Sequence, residues 1–361
     1  LVAVSSSSSV PSPVGAGLYY TGLIAQINMT NVQRHVEYFS SLGTRYTGYP
    51  GNEEAARYVY DYFRNLSLSG MIENVSLQDF PIVTCIDYGA NVTVLTGQMA
   101  GNRSNLYPLL PNLVCPSTTS PEGLVGPLIY ARGGYFRDLE GLEVNGSIVL
   151  LDWDSRDRWL NAAKYGAKAV IFIPPPIDSP SLAFTRDFPR DPKYLPTVPF
   201  NFPRFYLEKD GLSLLKAVNE TVRVVSTQRW EKVSAYNVLA FVKGKQRPLT
   251  YVAVTAYFDS GSIVPSLAPG AQESCGIACL LEVARLLNKP ENQPQNSIIF
   301  IALNAHHQYS LGAQSFIRDY LLENWGRPET LDLGLWEYAS NWRKRIKFDL
   351  NLDLSTGSNS T

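Results

Sequence analysis

Apolar positions fall on a helical period from Val32 to Leu42, the spacing of a helix with one buried face. The stretch SLGTRYTGYPGNEEAARYVYDYF follows. Its Gly/Pro turn predicts a second helix opened by Asn52, with Glu53 and Glu54 in a first turn where the helix dipole favours acids. FPIVTCIDYGANVTVLTG then alternates and reads as strands. Several prolines near residues 106–116 break this pattern. GSIVLLDWDSRDRWLNAAKYGAKAVIFI reads as strand, helix, strand, with Ala162, Ala163, Gly166 and Ala167 small enough for close helix packing. YLPTVPFNFPRFYLEKDGLSLLKAV continues as a Pro-rich strand and a short helix.

The first pattern resumes with two strands, AYNVLAFVKG and TYVAVTAYFDS. In GIACLLEVARLLNKP, Ile277, Leu280, Leu281, Ala284 and Leu287 make one apolar stripe and Pro290 closes the helix. SIIFIALNAHH is a strand of the buried type, and KFDLNLDL alternates. Strands separated by helices predict an α/β fold: a mixed, largely parallel sheet with helices on both faces, plus an inserted α/β domain. The segments are a Ser/Pro tether over 1–19, the first part of the main domain over 20–111, the insertion over 112–232, and the second part over 233–361. Ligands of such sheets bind beyond the carboxyl ends of the strands. Asp259, His306 and Asp353 all fall at such ends.

Composition narrows the setting. A chain of 361 residues with net charge -1 and only 17% charged residues offers no basic surface for nucleic acid. Eight Asn-x-Ser/Thr triplets start at Asn28, Asn65, Asn74, Asn91, Asn102, Asn145, Asn219 and Asn359. About three would arise by chance, so the excess predicts N-linked glycans and an extracellular or cell-surface location. The opening LVAVSSSSSVPSP reads as the stub of a removed signal or anchor followed by a tether. No other stretch approaches a membrane span. Of the four cysteines, Cys275 and Cys279 lie four apart on a helix and read as core thiols, whereas Cys85 and Cys115 are candidates for a disulfide.

The chain has three histidines, His35 and the adjacent pair His306 and His307. The stretches AYFDS (256–260), PGAQESCGIACLLEVARLL (269–287), LNAHHQYSLGAQSF (303–316) and LNLDLSTG (350–357) together resemble the M28 family of zinc aminopeptidases. LGTRYTGYPGNEEAARYVYDYF resembles that family's opening. VNGSIVLLDWD and AAKYGAKAVIFI resemble a protease-associated domain inserted into it.

The resemblance implies a set of equivalent positions. Tyr257 stands where active members carry the zinc-binding histidine of a His-x-Asp motif, and Asp259 is the aspartate that orients it. Glu273, or Gln272 by an alignment from the helix side, stands at the metal-bridging aspartate. His306 and His307 replace a Glu-Glu pair, the first a general base and the second a metal ligand. Asp353 keeps the ligand of the fourth motif, and the final family histidine has no counterpart before Thr361. A phenol with a pKa of about 10 is a poor zinc ligand. Losing both carboxylates also removes negative charge that holds two divalent cations together.

The degenerate site, similar in that respect to nicastrin, implies a glycosylated extracellular pseudopeptidase with no resident cofactor. It would bind protein or peptide as a component of a surface assembly. The alternative is a secreted zinc metallo-aminopeptidase using His307, Glu273 and Asp353. A further segment, a second chain or a homo-oligomer is expected to complete the fold.

Overall fold

The computed structural model describes residues 21–174, 191, 193–195, 197–268, 273–321 and 346–353. The expected tether, Gln272 and Asn359 lie outside these residues. Helix α1 (Met29–Ser41) follows the predicted period and buries Val32, His35 and Phe39. Helix α2 spans Pro50–Ser67. Asn52 does not open it: Pro50 does, because a proline lacks the N–H that a first helical turn leaves unbonded anyway. Asn52 is instead buried, and its amide donates to Arg45 O and Asn304 Oδ1.

The expected strands after α2 form one 23-residue strand, β1 (Ile72–Val94). It continues through β-bulges at 73/76 and 87/90, which turn a long strand without ending its pairing. Strands β2 (Arg103–Pro108), β3 (Leu124–Tyr130), β4 (Ile148–Asp152), β5 (Ala169–Ile173) and β6 (Arg204–Tyr206) follow. Short helices α3 (Phe136–Leu139) and α4 (Trp159–Lys164) lie among them. The short helix expected near 211 is a 3-10 helix, Lys209–Ala217. Then come β7 (Thr221–Val242), β8 (Arg247–Tyr257), α5 (Cys275–Leu287), β9 (Asn296–Leu303), α6 (Leu311–Phe316) and β10 (Ile346–Asn351).

Among the described residues the strand order is β1-β2-β6-β5-β4-β3-β7-β9-β8-β10, and β1 also pairs with β7. Seven strands therefore close into a ring. Apolar residues from all seven fill it, including Val92, Leu106, Leu128, Leu150, Ile171, Phe205 and Val224. The upper halves of β1 and β7 continue into the open sheet, where β9, β8 and β10 run parallel to one another. One face of that sheet packs on α1, α2 and α5 through Phe39, Val59, Phe63, Ile277, Leu280, Leu281 and Ala284. The other face carries Phe316 and Tyr320. The sequence-predicted mixed, largely parallel sheet with helices on both faces is therefore present.

The expected Cys85–Cys115 bridge is absent; both thiols are free. Cys85 is buried on β1 beside Tyr46 and Tyr49, and burial pushes its thiol up to about 12. Cys115 belongs to a separate turn, closed by two main-chain hydrogen bonds with Asn112. Cys275 and Cys279 are half-buried rather than wholly in the core. No helix among the described residues is long and apolar enough to cross a membrane.

Candidate functional site

Parallel pairing aligns the carboxyl ends of β8, β9 and β10: Tyr257 faces Leu303, and Thr255 faces Asn351. The loops that follow deliver Asp259, His306, His307 and Asp353 to one edge, as the strand-end rule anticipates. Glu273 arrives just before α5. The structure thus brings together every described position implied by the family resemblance.

Tyr257 is the centre of the cluster. Its hydroxyl lies 2.7 Å from Glu273 Oε2 and 3.0 Å from Asp353 Oδ1, so one phenolic proton serves two carboxylates. The Tyr257 ring stacks on His306 with centroids 4.1 Å apart and meets His307 edge-on at 5.4 Å. His307 Nε2 lies 3.6 Å from Glu273 Oε2, which makes an ion pair whenever the imidazole is protonated. The His307 main-chain N–H donates to Asp259 Oδ2 at 3.0 Å. Asp259 is wholly buried and Glu273 is 1% exposed, whereas Asp353 is exposed.

Two buried carboxylates need a counter-charge. Arg45, fully buried in the turn between α1 and α2, supplies it. Its guanidinium donates to Phe258 O, Phe39 O and Glu273 O. Burial lowers its pKa to about 10 even though Asp259 and Glu273 pull it upward, so it remains a cation at neutral pH. Sequence reading placed this stretch in the family's opening but gave Arg45 no role. Two of those three partners, Phe258 and Glu273, lie more than 200 residues along the chain, beyond the reach of any local pattern.

Beneath the cluster lies a polar lattice that the sequence did not reveal. Asn304 Oδ1 accepts from Thr47 Oγ1, Asn52 Nδ2 and the Ala305 N–H, and Asn304 Nδ2 donates to Asn52 Oδ1. Asn237 links the Asn304 N–H to Gln78 and Gly312 O. Satisfied on all sides, this lattice fixes a loop in which Ala305, Tyr309 and Ser310 are left-handed, with φ of 52°, 57° and 56°. Such backbone is strained for residues with a side chain and persists only when its surroundings impose it.

The donor set does not fit the pair of zinc ions that the fold family implies. Among the described residues, no group of three or more His, Cys, Asp and Glu side chains is arranged to hold a metal ion. The Tyr257 hydroxyl spends its proton on the two carboxylates best suited to ligation. The buried carboxyl groups of Asp259 and Glu273 already face Arg45.

Residues 237–361 match peptidase family M28. The fold is similar to that of BSAP, a zinc aminopeptidase from Bacillus subtilis, with a TM-score of 0.57 at 21% identity over 91% of this chain and 69% of that one. It is similar also to a peptidase M28 precursor from Shewanella amazonensis, with a TM-score of 0.56 at 18% identity over 84% and 70% of the two chains. The M28 match is thus confined to residues 237–361, and the fold as a whole is similar to that of zinc aminopeptidases.

Proposed function

We propose that this protein is an extracellular, glycosylated M28-like pseudopeptidase that binds protein or peptide at the former active-site cleft, as a component of a surface assembly. The observation that carries the reading is the Tyr257 hydroxyl shared between Glu273 and Asp353. A phenolic proton stands among the carboxylates where the relatives' chemistry calls for a metal. With two carboxylates of the family pattern exchanged for His306 and His307, the edge keeps a shaped, partly aromatic surface without the anionic cage of a two-metal hydrolase.

The surface supports the extracellular part of the proposal. Asn28, Asn65, Asn74, Asn102, Asn145 and Asn219 are exposed, and Asn91 is half-buried, so the described sequons are accessible to glycan transfer. The protease-associated character of the insertion belongs to the same proposal; the seven-stranded ring would flank the cleft and shape entry to it.

A second reading, a metallo-aminopeptidase with an atypical single-metal set of His307, Glu273 and Asp353, draws on one observation. Glu273 lies close to both His307 Nε2 and the Tyr257 hydroxyl that also reaches Asp353. Aminoacyl p-nitroanilides separate the two readings. The pseudopeptidase gives no turnover with or without added zinc, while zinc-dependent turnover abolished by His307→Ala supports the enzyme.

A further inference from the structure

Asn145 starts one of the exposed sequons, and it stands in the wall of a groove between α3 and the end of α4. A tight turn presents it. The Ser147 N–H donates to Val144 O at 3.1 Å, and the Ser147 hydroxyl donates to the same carbonyl at 2.7 Å. Between them Gly146 sits at φ 76°, left-handed backbone that glycine takes without strain. The Gly146 N–H donates to Gly166 O at 2.8 Å, which ties the turn to the chain just after α4. The Asn145 side chain packs against Gly166 itself, where any Cβ would collide with it.

The groove encloses about 600 Å³ and is lined by Phe136, Leu142, Tyr165 and Asn145, with Arg137 and Glu143 beside them. Phe136 and Tyr165 meet edge to face with centroids 6.1 Å apart, yet they are 58% and 52% exposed. Leu142 is exposed as well. Apolar groups gathered in this way favour a cover over contact with water. A pyranose ring has the matching chemistry: its C–H groups lie against aromatic faces while its hydroxyls reach a charged rim. A free sugar would pay the whole entropy of association for such weak contacts. A glycan fixed to Asn145 is held beside the rings at high effective concentration, so weak stacking suffices.

We propose that this groove seats the first N-acetylglucosamine of a glycan on Asn145, packed on Phe136 and Tyr165. The proposal rests on the reading of the chain as a glycosylated protein and adds the place where one glycan lies. The seated sugar shields both rings and closes this face to protein partners.

The test is hydroxyl-radical footprinting of the full chain from a glycosylating host, with a glycopeptide map to read the occupancy of each sequon. The forms compared carry intact glycans, glycans trimmed by an endoglycosidase to single N-acetylglucosamines, or none after N-glycosidase. Asn145 should be occupied, and oxidation of Phe136 and Tyr165 should rise several-fold only when the last sugar goes. Tyr309, 76% exposed on a distant loop, serves as the unchanging reference. Asn145→Gln should give the stripped pattern at these two rings, so the bare form is available by either route. Equal oxidation in all forms with Asn145 occupied, or protection that trimming already removes, overturns the proposal and leaves the glycosylation reading intact. A bare Asn145 among occupied sequons does the same. Absence of glycan at every sequon overturns both.

Discussion

Replacing Tyr257 with phenylalanine removes one oxygen and keeps the ring that stacks on His306. The lost hydroxyl serves Glu273 Oε2, in a carboxylate that is 1% exposed, and Asp353 Oδ1, in one that is exposed. Hydrogen bonds to charged groups contribute about 1.5–3 kcal/mol each when buried. Water can replace the share of Asp353 but not that of Glu273. Stability should therefore fall by about 2 kcal/mol, almost all of it from the hydrogen bond lost to the buried Glu273. With a urea slope of about 3 kcal/mol/M, the midpoint drops by roughly 0.7 M. Urea unfolding followed by tryptophan fluorescence, with and without chelator, measures this. The loss should be the same in both, because the tie is a proton and not an ion. If Tyr257→Phe is as stable as the parent, the hydroxyl holds nothing together. If chelator alone weakens the parent by the same amount, a metal does the holding.

Three further outcomes follow from the geometry. His35 is buried on α1 against Tyr58 and Tyr62, and burial lowers its pKa from 6.5 to about 4. The unfolded chain thus binds a proton that the folded one refuses. Stability is full above about pH 6.5 and declines towards pH 4, by about 2 kcal/mol after allowance for solvent screening; His35→Phe should flatten that slope in urea midpoints measured across the range. Asn304→Ala leaves the donors of Thr47, Asn52 and Ala305 without their acceptor, so it should cost about 3 kcal/mol by the same unfolding assay. Expression in a glycosylating host should give a ladder of mass shifts collapsed by an N-glycosidase, and Asn145→Gln and Asn219→Gln should each remove one step.

What the sequence disclosed was what short-range patterns encode. The apolar runs of β8 and β9 marked two buried strands, and the alternation of β10 marked a further strand, which is exposed along most of its length; their ends located Asp259, His306 and Asp353, while Tyr257 and His307 came from the family resemblance. The stripe on α5 gave the helix that follows Glu273. Pairings between distant segments stayed hidden. Nothing local says that β1 and β7 pair along nearly their whole lengths, or that a turn near residue 45 supplies the buried cation of a site built some 200 residues later. Asn52 looked like a helix cap because asparagine usually favours that position; burial next to Asn304 gave it another use. The cysteine pair misled for a similar reason, since loop-like surroundings say nothing about where two thiols point.

The metal content of natively purified protein decides the functional reading. Elemental analysis after gel filtration without chelator should find well under about 0.1 zinc per chain if, as the family resemblance implies, a phenol and two histidines stand in place of three of the ligands or bases that a two-metal hydrolase requires. One or two zinc ions retained per chain would contradict the pseudopeptidase proposal.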